Sequence, residues 1–424
     1  MYLSSLTSQT STCIIKRTRV NEVELMALLK RLLAVIGAAR HSLTDYNFDE
    51  TTNAFKQKET IKSVRKLDEN IYLLDFKADY NIDELLRNGV DSLSGLLKFV
   101  VDQLPVKHGK IKTGDYIGGG CSTFEAYTPD GDHTLGRNFD FKDAPCFIVW
   151  THPENHYESI SVVDTNFMAY GKSINKFNNR NSLQVLLSPY CCVDGLNDQG
   201  LSIAVLQLKT KPTRQTDASK LNIVTTAMIR GVLDTCASVD EAIEFISSYN
   251  MHDSLGCSYH YQIVDKTGKS VVVEYVSDKL YVYEEGGDKC GVSGSIFEDD
   301  GINLQYVTNF TVKKDIGNAK IEQHGEDRAE AIVKVLGEKK GIMTELESMD
   351  LLSHVKLNYK HPKYPWSIVA LWSAVYNTNR RTLKLAANMD YSKIYTFSVN
   401  RPCEVLETEA ITESAYSARE WKYL

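Results

Sequence analysis

The stretch Gly118-Gly119-Gly120-Cys121-Ser122-Thr123-Phe124 limits what this chain can fold into more than any other. Side chains alternate from Cys121 to Tyr127, Pro129-Asp130-Gly131-Asp132 makes a turn, and the chain returns from His133 to Asn138. That is a hairpin, and it delivers Gly136-Arg137-Asn138-Phe139-Asp140-Phe141 beside the cysteine. The three glycines predict an open, flexible backbone on the N-terminal side of Cys121. If the Gly120-Cys121 bond were cut, Cys121 would carry a free α-amine beside its own thiol. With unperturbed pKa values of about 7.7 to 8.0 and about 8.5, the two groups exchange a proton almost isoenergetically near neutral pH. A lone cysteine is ordinarily an inert core thiol, and a nucleophilic one needs a base or a lowered pKa. Arg137 supplies a permanent positive charge for that purpose, and Asp140 a carboxylate to orient the amine. Alternate residues of a strand face opposite sides, so Arg137 and Asp140 share a face only if the strand bends or ends between them. A bulge or strand end is therefore expected near Asn138.

Arg137 follows Cys121 by sixteen positions and Asp140 by nineteen, inside Gly-Arg-Asn-Phe-Asp. This spacing resembles the N-terminal-nucleophile cysteine hydrolases of the choloylglycine hydrolase superfamily, which include bile salt hydrolases, penicillin V acylases, acid ceramidase and N-acylethanolamine amidases. Tyr306-Val307-Thr308-Asn309 resembles the segment whose Asn side chain lines the oxyanion hole, and Gly325-Glu326-Asp327-Arg328 the region with a second active-site arginine. Gly200-Leu201-Ser202-Ile203-Ala204-Val205-Leu206-Gln207 resembles a strand that ends in Asn in bile salt hydrolases. The family uses the backbone N–H at that place, so Gln207 keeps the donor while departing from the bile salt pattern.

The resemblance runs from about Cys121 to the C-terminus. It implies an α+β fold, a four-layer αββα sandwich of two antiparallel sheets, with an N-terminal helical prosegment. It divides the chain into a prosegment or small subunit, 1–120, and a catalytic domain, 121–424. It implies a self-processing amidohydrolase, cut between Gly120 and Cys121, that cleaves linear non-peptide C–N bonds of N-acyl substrates through an acyl-thioester on Cys121. Cys121, Arg137, Asp140, Gln207, Asn309 and Arg328 would form the site, with no cofactor. The alternatives are an acyltransferase of the penicillin-biosynthetic type and an interaction protein on a decayed hydrolase scaffold.

A net charge of -7 and a pI near 5.9 argue against a nucleic-acid surface. The ten histidines are scattered, and no His-x-x-x-His, Cys-x-x-Cys or EF-hand spacing occurs, so no metal is expected. Nine cysteines, an odd number, read as reduced thiols, with Cys191 and Cys192 in the core. Met26 to Arg40 reads as an amphipathic helix with weak membrane contact rather than a secretory signal, and a cytoplasmic location is favoured over export.

Strands are expected at Ile71–Phe76, Cys146–Thr151, Ser159–Asp164, Leu183–Leu187 and Leu201–Leu208. Helices are expected within Asp83–Gln103, at Val224–Cys236, and after Ser238, which with Glu241 forms a capping box. Hairpins follow at Tyr259–Val264 with Ser270–Tyr275, and at Ser367–Tyr376 with Thr382–Ala387. Strands, then helices, then strands suit two sheets face to face with helices outside.

Overall fold

The computed structural model describes residues 47–104, 119–168, 170–177, 182–208, 210–284, 304–312, 325–360, 367–417, 419 and 421. The helix expected over Met26 to Arg40 lies outside them.

Two large sheets make up the body. One contains nine strands among the described residues, in the order Arg65–Lys66, Ile71–Phe76, Cys146–Thr151, Ser159–Asp164, Cys192–Asn197, Ser202–Leu208, Ser258–Val264, Ser270–Val276 and Lys279–Glu284. The other contains eight, running from Tyr306–Val307 through Gly120–Tyr127, His133–Lys142, Ser367–Asn377, Thr382–Ala387 and Ile394–Ser398 to Glu407–Glu409, with Asn358–Lys360 also paired to Ser367–Asn377. The sheets meet where the Gly120–Tyr127 strand lies against Ser202–Leu208. Helix Thr225–Thr235 covers the outer face of the nine-stranded sheet, and helices Glu326–Glu338 and Glu345–Val355 cover that of the eight-stranded sheet. The result is the αββα sandwich. Central strands such as Cys146–Thr151 and Ser258–Val264 are buried at every residue, as burial on both faces requires.

The N-terminal segment is not only helical. Ile71–Phe76, expected as a strand, inserts into the nine-stranded sheet and pairs in parallel with Cys146–Thr151; the other pairings of that sheet are antiparallel. Around it stand helices Asn53–Lys62, Ile82–Asn88 and Leu93–Asp102. The last two resolve the expected Asp83–Gln103 region, split at Gly89, whose φ of 67° ends the first. Tyr80 fixes the segment to the body: its hydroxyl donates to Asp234 Oδ2 at 2.8 Å, and its carbonyl accepts from the Tyr190 hydroxyl at 2.8 Å.

Two local expectations are corrected. Leu183–Leu187 is not a strand but part of a 3-10 helix, Ser182–Cys191, buried throughout and containing Pro189. A wholly buried apolar run carries no period, so strand and helix cannot be told apart from it. At Ser238 the side chain accepts the Glu241 N–H at 3.3 Å, but Glu241 Oε2 takes the Ala237 N–H at 2.7 Å, so the box closes one residue early. The reciprocal box is formed by Thr344 and Glu347.

Candidate active site

Cys121 lies at the start of the Gly120–Tyr127 strand, opposite Phe139, with Thr123 opposite Arg137 and Gly120 opposite Asp140. Side chains of directly opposed residues share a face. Cys121 and Arg137 thus look toward the nine-stranded sheet, and Asp140 looks toward the outer helices. No bulge occurs near Asn138: His133–Lys142 is unbroken and the register with Gly120–Tyr127 is regular. The irregularity is one strand away, at Leu371, between the pairs Ala370–Asp140 and Trp372–Phe139. Arg137 and Asp140 need no common face because the site encloses the strand from both.

Arg137 is fully buried. Its Nε donates to Asp194 Oδ2 at 3.0 Å, Nη1 to the Asn138 carbonyl at 2.7 Å and Nη2 to the Val205 carbonyl at 2.8 Å. Burial opposes its charge, but the adjacent Cys121 sulfur and the Asp194 carboxylate outweigh this and raise its pKa. Asp194 also accepts from Trp372 Nε1 at 3.0 Å and from the Tyr376 hydroxyl at 2.6 Å. Burial lifts its carboxyl above the usual range against the pull of Arg137.

On the other face Arg328 is the hub. Its Nη1 donates to the Cys121 carbonyl at 2.9 Å, to Ser122 Oγ at 3.2 Å and to Asp140 Oδ2 at 3.3 Å, and Nη2 donates to Asn309 Oδ1 at 2.8 Å. Asp140 Oδ1 accepts the Leu357 N–H at 3.3 Å. Burial raises the Asp140 carboxyl, opposed chiefly by Arg328. Asn309 Oδ1 accepts the Cys121 backbone N–H at 2.6 Å, and Asn309 Nδ2 donates to the Gln207 carbonyl at 2.7 Å. Two donors at one end of the amide and an acceptor at the other fix its orientation.

Gln207 takes part through more than its backbone. Its side-chain Oε1 accepts the Gly119 N–H at 2.7 Å, so it grips the chain two residues before Cys121. The glycines there are packed rather than open. A Cβ at Gly119 would stand 2.4 Å from the Asp140 carbonyl oxygen, and one at Gly120 would stand 2.1 Å from Leu357 Cδ1. Both positions need glycine for close approach, which corrects the expectation of a loose backbone.

The structure therefore brings together Cys121, Arg137, Asp140, Gln207, Asn309 and Arg328. Cys121, Asp140 and Gln207 line one cavity, whose remaining wall is mostly apolar, including Phe139, Phe141, Phe167 and Tyr190. Helix Leu93–Asp102 closes it with Leu93, Leu96, Leu97 and Val100. No Lys, Arg or His lines it among the described residues. No group of three or more His, Cys, Asp or Glu that could hold a metal occurs among the described residues.

Sequence reasoning missed both Asp194 and Trp372. Trp372 stacks on Phe139, with centroids 4.3 Å apart, and it also holds Asp194. A carboxylate within the buried strand Cys192–Asn197 was the available signal, since such a charge needs a partner.

The strand that carries Cys121 thus has a buried arginine on each of its faces, and Cys121 lines an apolar cavity. Residues 121–322 match the model of the linear amide C-N hydrolases, choloylglycine hydrolase family. A bile salt hydrolase/transferase of Clostridium perfringens is 27% identical over 181 residues, 39% of this chain and 50% of that protein. The chain thus spans about half the length of this curated relative. A crystal structure of a mutant conjugated bile acid hydrolase from Clostridium perfringens is similar with a TM-score of 0.45 and 14% identity, over 69% of this chain and 97% of the other. Penicillin V acylase from Agrobacterium tumefaciens gives a TM-score of 0.43 and 16% identity, over 66% and 86%.

Proposed function

We propose that the chain is a self-processing cysteine amidohydrolase acting on linear, non-peptide amides of apolar acyl groups. The observation that carries this reading is the position of Cys121, its backbone nitrogen held by Asn309 and its sulfur beside Arg137 at the apolar cavity. In the processing step the Cys121 thiol attacks the Gly120 carbonyl, the C–N bond breaks, and water opens the resulting thioester, leaving a free α-amine on Cys121. Residues 1–120 then form a small subunit and 121–424 the catalytic one.

In turnover the α-amine takes the thiol proton, and the thiolate attacks the substrate carbonyl. Asn309 Oδ1, which already accepts from this nitrogen, directs it. The second N–H of Asn309 Nδ2 and the Gln207 backbone N–H donate to the oxyanion, a kind of contact worth about 3 to 4 kcal/mol per donor. The α-ammonium returns the proton to the leaving amine, and water hydrolyses the acyl-thioester. Arg137 stabilises the thiolate, and Arg328 with Asp140 fixes the strand that carries it.

An apolar cavity with no cationic side chain among the described residues supports an uncharged amide over one whose leaving amine bears a carboxylate or sulfonate. The bacterial relative's name joins hydrolase to transferase, so an amine could replace water as the acyl acceptor. Intact mass and N-terminal sequencing, followed by an amide panel on wild type and Cys121→Ala, test the proposal. Expected are a new terminus at Cys121 and Cys121-dependent release of free acid from neutral acyl amides. An active chain still continuous through Gly120-Cys121 overturns self-processing, and products in which added amine carries the acyl group make it a transferase.

A further inference from the structure

We infer that His260 is a positioning residue for Asn309 and Arg328, acting through the backbone of Thr308; this rests on the active site proposed above. Asn309 follows Tyr306–Val307, a two-residue strand paired, among the described residues, only with Phe124 and Thr123. Beyond Val307 the fastening passes to side chains of the nine-stranded sheet. His260, fully buried on strand Ser258–Val264, places Nε2 2.7 Å from the Thr308 carbonyl oxygen. A carbonyl only accepts, so Nε2 carries the proton. Its Nδ1 lies 3.4 Å from Oε2 of Glu274, the residue directly opposite on the next strand. That same oxygen accepts the Val312 N–H at 2.8 Å. One buried pair therefore ties both ends of residues 308–312, with Asn309 between them.

The connection extends to Arg328. Thr308 Oγ1 donates to the Gly325 carbonyl at 2.8 Å, and Gly325 caps helix Glu326–Glu338, which carries Arg328 in its first turn. Two residues along the strand from His260, Gln262 Nε2 donates to the Gln305 carbonyl at 3.2 Å, securing the approach to the same segment. Burying a histidine and a glutamate side by side is costly unless their polar atoms are used. Here they hold the backbone from which the Cys121 nitrogen acquires its acceptor.

The test compares His260→Ala, His260→Gln and Glu274→Gln in the full chain, by steady-state kinetics on a neutral acyl amide and by hydrogen–deuterium exchange. His260→Ala is expected to lower kcat about 30- to 100-fold with KM changed less than about twofold, the pattern of a displaced catalytic group. In His260→Gln the introduced amide N–H can still reach the Thr308 carbonyl, so this variant should recover kcat to within about fivefold of wild type. Amides of 305–312 should exchange at least about tenfold faster in His260→Ala, while those of Cys146–Thr151 keep their protection. If His260→Ala does not fold, Glu274→Gln carries the test with the same direction in kcat and exchange. Unchanged kcat, an equal loss in Ala and Gln variants, or unchanged exchange of 305–312 overturns the inference. A wild type without Cys121-dependent turnover defeats the functional reading instead, and the exchange data then decide the role of His260 on their own.

Discussion

Arg328 donates to the carbonyl of Cys121 itself, at 2.9 Å, so the residue proposed to attack is held by its own backbone. The same guanidinium spans to Asn309 and Asp140. A lysine has a single charged nitrogen and cannot cover these positions together. Arg328→Lys should therefore lower kcat about 100-fold with a small change in KM, and Arg328→Gln, which leaves Asp140 buried without its cation, should also lower the melting temperature. Kinetics and calorimetry on the two variants check this.

Gln207 distinguishes processing from turnover. Its side chain holds Gly119, which lies before the proposed cut, while its backbone carbonyl accepts from Asn309 at the proposed oxyanion site. Losing the acceptor of a buried N–H costs about 1 to 3 kcal/mol, so Gln207→Ala should slow appearance of the cleaved form roughly 5- to 100-fold. Turnover by the fraction already cleaved should fall less. A time course of intact mass beside kinetics normalised to cleaved protein reads both.

Helix Leu93–Asp102 sets the depth of the cavity through Leu96, Leu97 and Val100. Leu97→Trp fills that end with an indole. For long acyl chains kcat/KM should fall about tenfold or more, with short acyl amides changed less than about threefold, within the range one or a few methylenes command in an apolar pocket. A chain-length series reads the shift.

Stability should decline as pH rises from 5 to 8. Burial lifts Asp164 to about 7 and Asp253 to about 6, against the usual value of 3.8. Between the unfolded and folded pKa values the folded chain holds protons that the unfolded chain has released, so raising pH favours unfolding until both states are ionised. The melting temperature should drop by roughly 5 °C over this interval, and Asp164→Asn should remove much of the drop. Scanning calorimetry at several pH values checks it.

Much of the hairpin around Cys121 was legible because its information is local: alternation, a Pro-Asp-Gly-Asp turn and a returning strand. The strand Ile71–Phe76 was legible for the same reason. What surrounds Cys121 was not, because its partners are distant in sequence. Asp194 lies 57 residues from Arg137, 178 from Trp372 and 182 from Tyr376, and no period links them. The expected common face of Arg137 and Asp140 failed for a related reason: one strand with partners on each side can be addressed from both faces at once, and spacing alone does not show that. The packed Gly120 was read as freedom because the Leu357 side chain that fills its space is over two hundred positions away, and Gly119 because the Asp140 carbonyl against it comes from the neighbouring strand.

The parallel ladder between Ile71–Phe76 and Cys146–Thr151 has an implication for biogenesis. Severing the peptide ahead of Cys121 would leave two polypeptides sharing one continuous hydrogen-bonded surface. A gene started at codon 121 would instead present Cys146–Thr151 as a bare edge and leave the cavity roofless, two invitations to aggregate. Residues 47–104 are thus a scaffold that must be made together with the rest, whatever becomes of the covalent link.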